Sequence, residues 1–413
     1  MKTLLTLTVA ASAIAVAAPA FAKPGDPVKV SDTLTIDPII EGRLRYEHVD
    51  QDTLGLDADA VTMRLRAGAE FKLNHLSLLA DGEGTLAIDN NYNAFPFPNP
   101  GSSQRRPGYS VVPDPQNVEL NRLQLSYKVN GSGVTIGRQR INLDDQRFVG
   151  SVGWRQNEQT FDAVRGEAKV GPLMLDATYS WSDRTIFGED AGPRQAYDGN
   201  FWFLGGGVKA GPVQVKGFAY LIDFNDPIQI ANSSKTFGLR ATTVLPVSSK
   251  VKIDLTASYA RQSDWQASPR DYDADYVYAE GGATFSGLRV GGGWELLGSD
   301  NGFSVQTPFA TLHKFNGWAD VFLTTPAAGL EDAWGSVGYT FKGVKALPGL
   351  NAQLAYHQFD SDKGDIEFGT EWDAQLGFRL NQFAILAKYA NYDAANARTS
   401  DKEIFWLQAE FAY

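Results

Sequence analysis

Seventeen successive connections in this chain alternate between tight turns and long loops, and the segments they join alternate apolar and polar side chains residue by residue. The tight set is Leu73-Asn74-His75, Asn130-Gly131-Ser132, Gly171-Pro172, Gly211-Pro212, Ser286-Gly287 and Asn381-Gln382, with slightly longer turns at Pro246-Val247-Ser248 and Lys345 to Gly349. The other connections run to about ten to thirty residues and collect Pro, Asn, Asp and Gly. A soluble β-sandwich has no reason to sort its loops by length in this way. A sheet closed across a bilayer does, with short turns on one side and long loops on the other.

The segments predict eighteen strands of about ten residues, the length a tilted membrane strand needs. They fall at 38–49, 61–72, 76–88, 118–129, 133–142, 159–170, 173–183, 199–209, 213–223, 235–245, 251–261, 274–285, 288–297, 331–342, 350–359, 370–380, 383–391 and 403–413. In the second, Val61, Met63, Leu65, Ala67, Ala69 and Phe71 share one face, opposite Arg64, Arg66, Gly68, Glu70 and Lys72. The last eleven residues place Phe405, Leu407, Ala409, Phe411 and Tyr413 on one face and Trp406, Gln408 and Glu410 on the other. The expected fold is all-β: an antiparallel up-and-down transmembrane barrel. An even strand count puts both termini on the short-turn, periplasmic side.

The beginning of the chain fits export. Lys2 precedes an apolar stretch from Leu4 to Ala18, and Ala20-Phe21-Ala22 matches a cleavage pattern. Residues 1–22 read as a secretory signal and 23–413 as a single barrel domain. No later stretch approaches the length of an apolar spanning helix. There is no cysteine, which removes thiolate chemistry and disulfides. A net charge of −11 and the lack of any basic block beyond Arg105-Arg106 argue against nucleic acid as a partner.

The chemistry is expected on the inward register, where a charge escapes the roughly 2–4 kcal/mol cost of facing lipid at mid-depth. Arg43, Arg45, Arg64, Arg66, Arg122, Arg138, Arg140, Arg165 and Arg240 are the predicted pore-lining, anion-binding residues. Acidic residues including Glu41, Glu47, Asp81, Glu83, Glu295 and Asp373 share that lumen. Two arrangements satisfy the pattern: a ladder of facing arginines and carboxylates, or a track of unpaired guanidinium groups whose planar forks suit anionic solutes. The loop Gly298 to Leu330 is long enough to fold into or over the mouth. Gly205-Gly206-Gly207 and Gly291-Gly292-Gly293 open no helix and read as strand packing. No metal spacing, nucleophile elbow or paired acid–base site stands out. A channel, not an enzyme, is expected, and no cofactor.

Three stretches carry a resemblance: GRQRINLDDQRFVGSVGWRQNEQTFDAVRGE (Gly137 to Glu167), QTPFATLHKFNGWADVFLTTPAAGLEDAW (Gln306 to Trp334) and DGEGTLAIDNNYN (Asp81 to Asn93). They resemble the alginate-export family of outer-membrane porins. The resemblance implies a monomeric eighteen-stranded barrel in the bacterial outer membrane, among its lipids and lipopolysaccharide. It also implies a cationic constriction passing an anionic uronate polysaccharide. By position, Arg138 and Arg140, with Arg43, Arg45, Arg64 and Arg66, would form that constriction; Asp144, Asp145, Arg147 and Glu83 would line or fold over it. Insertion would use the barrel assembly machinery, through the C-terminal strand. The periplasmic turns are too short for a dedicated exporter's plug loop, so passage of small anionic saccharides stands beside gated polymer export. A plugged, surface-binding barrel is the third expectation.

Overall fold

The computed structural model describes residues 27–412. The predicted signal segment, and Tyr413 at the end of the outward row, lie outside the described residues. Eighteen antiparallel strands follow one another round a closed barrel. They are β1 (Leu34–Gln51), β2 (Ala58–Leu73), β3 (Leu76–Asn91), β4 (Asn117–Val129), β5 (Ser132–Gln139) and β6 (Thr160–Val170). Next come β7 (Leu173–Arg184), β8 (Ala196–Ala210), β9 (Val213–Phe224), β10 (Ser234–Pro246), β11 (Val251–Asp264) and β12 (Asp273–Phe285). The last six are β13 (Leu288–Leu297), β14 (Leu330–Thr340), β15 (Asn351–Asp360), β16 (Glu367–Leu380), β17 (Phe383–Ala394) and β18 (Lys402–Ala412). β18 closes the ring on β1, in register from Glu41↔Ala412 to Gln51↔Lys402. Both described ends therefore lie at the short-turn rim.

Period two decides which face each residue takes. On β18, Leu407 points outward, while Trp406, Gln408 and Glu410 are buried inside. Outward Leu44, Met63, Leu65, Leu123, Leu125, Val134, Ile136, Trp202 and Leu354 belong to an apolar outer wall. This is the surface that hydrocarbon requires. The turn at Asn130-Gly131 has positive φ at both residues, 52° and 80°, the mirror-image turn that matches strand twist and that Asn-Gly accommodates with little strain. An arginine placed on the outer wall at Leu125 should cost about 2–4 kcal/mol of barrel stability, whereas arginine at inward Ser126 should not meet lipid at all. Urea midpoints followed by the gel shift of folded barrel check this pair.

Most strands run past the expected ten residues, so several long loops are shorter than predicted: only residues 52–57 join β1 to β2 and 361–366 join β15 to β16. Most of the extra length is on the long-loop side, and β1 also gains Leu34 to Asp37 beside the tight turn at Leu73. β5 is the exception, ending at Gln139 because the chain there turns into the barrel. The glycine triplets make room for large inward side chains. A Cβ on Gly205 would lie 2.6 Å from Lys216 Cε, and one on Gly293 would lie 2.4 Å from Trp334 Cζ2.

Three loops fill the interior: 92–116, 140–159 and 298–329, the last being the predicted Gly298 to Leu330 loop less Leu330, which opens β14. Segments 140–159 and 298–329 join inside the barrel, where Gly150 N–H donates to Phe309 O at 2.8 Å. Phe309 then packs on Phe161, Phe201, Phe203 and Phe224 of β6, β8 and β9. Phe148 packs on Phe218, Tyr220 and Tyr276. The half of the lumen bounded by β6 to β12 is thus a packed aromatic core. The loops bring apolar side chains inward and bury them against the wall. Open space is left off-axis, along β1 and β12–β18.

Candidate functional site: two chambers and the junction between them

The off-axis space forms two chambers. An outer one of about 900 Å³ opens at the long-loop rim and is lined by Glu47, Arg155, Arg194, Asp320, Arg398 and Lys402 among others. An inner one of about 380 Å³ is lined by Arg43, Glu280, Asp332, Asp373, Lys388 and Glu410 among others. His313 borders both.

The junction is built where loop tips meet inward side chains. Trp154 and His313 stack with centroids 4.4 Å apart and planes at 5°. His313 Nδ1 lies 3.0 Å from Asp320 Oδ1, and its Nε2 lies 2.7 Å from Lys388 Nζ. An Nδ1–H given to the carboxylate leaves Nε2 to accept from the ammonium, so the ring serves as a neutral bridge. Lys388 Nζ stands 3.8 Å from the centroid of the Trp318 ring, 4.3 Å from that of Trp154 and 5.3 Å from that of Trp406. It is a cation caged by indole faces. Arg155 spans the rest, donating to both oxygens of Glu47 at 3.0 and 3.1 Å and to Asp320 at 2.9 Å.

Burial pushes His313 down to about 3, with neighbouring Lys388 and Arg155 adding to the effect against Asp320. Burial would raise the Asp320 carboxyl, but His313 and Arg155 hold it below the usual carboxylate range. The closed junction therefore binds a proton at His313 less readily than an opened, hydrated ring does. Its stability is complete above the ordinary histidine range near 6.5 and is lost as pH falls from there toward 3. Open probability should rise on acidification from about pH 7.5 to about 4.5 and lose that dependence in His313→Gln, as bilayer recording at each pH will read.

The predicted arginines occupy these positions as bonded groups. Arg43 donates to the carbonyls of Gly153, Trp154 and Arg155 at 3.1, 2.9 and 3.0 Å, and to Glu410 at 3.1 Å. Arg45 donates to Trp154 O at 2.6 Å and lies over that indole. Arg64 reaches Glu410 at 3.0 Å. Arg66 joins Glu83 at 2.5 Å, Glu158 at 2.7 Å and Glu41 at 3.2 Å. Arg122 pairs with Asp81, Arg140 with Glu158, and Arg165 with Asp176. Arg240 holds Asp145 at 2.8 Å. The arrangement is the ladder of facing charges, extended by loop carbonyls; an unpaired guanidinium track is not present at these nine positions.

Arg138 departs from its expected inward placement. It shares the outward register of Val134 and Ile136, opposite Leu123, and chelates Asp162 at 2.8 and 2.9 Å. The outward position is tolerable because the pair is neutralised and lies one residue from the long-loop end of β5, where lipid exposure costs little. Asp144, Asp145 and Arg147 fasten the loop: Asp144 takes Lys216 Nζ at 2.9 Å, and Arg147 donates to Glu295 at 2.7 Å and Asn316 at 3.1 Å.

A second latch went unpredicted. The carboxylate of Glu371 on β16 accepts N–H groups from Trp318 and, at 2.8 Å, from Ala319. Lys388 and Trp406 could have been found by parity alone, since both sit in the inward register beside Gln375 and Gln408. Trp154, Arg155, His313 and Asp320 carry no such signal, because loop residues have no register.

A family model described as Alginate export matches residues 39–370. No curated protein sequence matches the chain. Solved structures with the same fold include OccAB4 of Acinetobacter baumannii, at 12% identity and TM-score 0.72, covering 92% of this chain and 98% of that one. The outer-membrane protein OpdK of Pseudomonas aeruginosa gives 14% and 0.70 over 91% and 98%. OpdK solved with vanillate gives 15% and 0.69 over 92% and 98%.

Proposed function

Since the chain belongs to the alginate export family of bacterial outer-membrane channels, we propose that it is a monomeric channel for small anionic saccharides, uronates above all, or other small carboxylates. Its short-turn rim, where both described ends lie, faces the periplasm. The observation that carries this reading is the outer chamber. It is too small for a folded polymer coil, and its mouth presents Arg194 and Arg398, for which no ion pair is found among the described residues. Arg194 instead lies over the Phe97 ring. These two cations meet an anion first. Arg43 borders the inner chamber, and buried Arg45, Arg64 and Arg66 stand behind it and add to its field while bound to carboxylates and loop carbonyls. Arg122, Arg140, Arg165 and Arg240 border neither chamber and act on the field from behind, paired with carboxylates of the wall and the inward loops. Arg138 contributes from outside, by holding the end of β5 where the inward loop begins.

Liposome swelling with glucuronate against glucose tests the proposal. Faster entry of glucuronate, reduced in Arg194→Ala/Arg398→Ala, is expected; equal entry would refute it. The latched junction also favours a second reading, gated export of an anionic polysaccharide. Under that reading no sugar enters through the intact chain, and entry appears only when a latch is broken.

A further inference from the structure

The inner chamber has a charge balance opposite to that of the mouth. Asp373 projects from β16 between Ala355 of β15 and Ala390 of β17, whose short side chains leave space on both flanks. It is 0% exposed, borders the chamber, and neither carboxylate oxygen receives a hydrogen bond, while the Glu371 carboxyl group crowds against it. Two residues along the same inward face, Glu371 Oε2 is also without a donor. The nearby cations are engaged elsewhere. Lys388 is bound to His313 and caged by indoles, and Arg43 is bound to Glu410 and three loop carbonyls. His357 gives its Nδ1 contact, 2.9 Å, to Asp332 and holds Nε2 3.7 Å from Asp373 Oδ2. A buried carboxylate in this condition is costly unless a cation or donor meets it.

We propose that Asp373 is the anchor of a binding subsite in the inner chamber for the ammonium group of a hydroxyl-rich amine. An ammonium offers three donors and the missing positive charge. The amides of Gln353 and Gln375, on the same wall, would meet hydroxyls. The indole of Trp334, which borders the chamber, offers an apolar face to a sugar ring. The subsite adds to the proposed channel and rests on solute reaching the inner chamber. It predicts that a solute carrying both carboxylate and ammonium groups is served at both levels.

Glucosamine, glucose and N-acetylglucosamine separate the contributions, since they differ at one substituent. Current through single channels should be blocked by glucosamine at concentrations where glucose and N-acetylglucosamine have no effect. In Asp373→Asn the block should weaken at least tenfold while basal conductance and the folded-barrel gel shift persist. Asp373→Glu should restore part of the block. Equal block by glucose and glucosamine would overturn the ammonium assignment, as would a block that survives Asp373→Asn. If Asp373→Asn fails to fold, Gln375→Leu offers a second reading: glucosamine block should fall there, and an unchanged block would count against the subsite. Glucuronate preference at the mouth is scored independently, so failure of one reading does not mask failure of the other.

Discussion

Arg155→Ala is expected to raise single-channel conductance several-fold in a barrel that still folds. The guanidinium lies within 3.0 Å of Glu47, 2.9 Å of Asp320 and 3.7 Å of Asp114, and all of these side chains are buried. Removing the group that faces all three carboxylates leaves Glu47 and Asp114 with Arg45 as their remaining paired cation among the described residues, at 3.9 and 3.5 Å, and leaves Asp320 with the neutral His313 ring. Breaking a buried pair in this way costs about 3–5 kcal/mol. The cost falls on the closed arrangement of the loops, because the hydrogen-bonded ladder of the wall does not pass through Arg155. The carboxylates regain hydration only if segment 140–159 moves and admits water. Arg155→Lys keeps the charge but loses the fork that reaches Glu47 and Asp320 together, so its conductance should fall between wild type and alanine. Planar-bilayer recording, with the gel shift as a check on folding, decides the order.

The second large effect is expected at Gly317, whose φ is +80°. A Cβ there would sit 2.3 Å from Glu371 Oε2 and 2.5 Å from its Cδ. Gly317→Ala therefore strains the backbone and drives the loop off the carboxylate that Trp318 and Ala319 grip. Losing that grip withdraws the Trp318 face from Lys388 and loosens the floor of the junction. Long-lived open states should appear, at about neutral pH and without any change of charge. Gly335→Ala is the control: a Cβ there meets nothing within 4 Å, and its channels should behave as wild type. Closed-state dwell times unchanged in Gly317→Ala would show that the Glu371 latch does not hold the loop.

The wall was legible in the sequence and its contents were not, for a physical reason. Lipid forces alternation on every strand, so Leu407 and Gln408 could be assigned to opposite faces from their neighbours alone. Turn chemistry is equally local, as at Asn130-Gly131. The junction obeys no local rule. Arg43 and Glu410 are 367 residues apart, and Arg155 and Asp320 are 165 apart. Nothing in either neighbourhood names its partner. Counting inward arginines measured how much positive charge the lumen holds but not how much is free. Arg138 differs in kind: its parity with Val134 and Ile136 is legible in the sequence, and the rule that charge faces inward misplaces it. An adjacent Asp162 removes the penalty on which that rule rests.

Folded-in loops, not the width of the barrel, are expected to limit passage. Planar-bilayer conductance of the full chain, compared with a variant in which residues 305–325 are replaced by a short glycine-serine link, tests this most directly. Small, brief conductances are expected for the full chain and a many-fold larger steady conductance for the variant. Large, steady conductance of the full chain, unchanged by the excision, would contradict it.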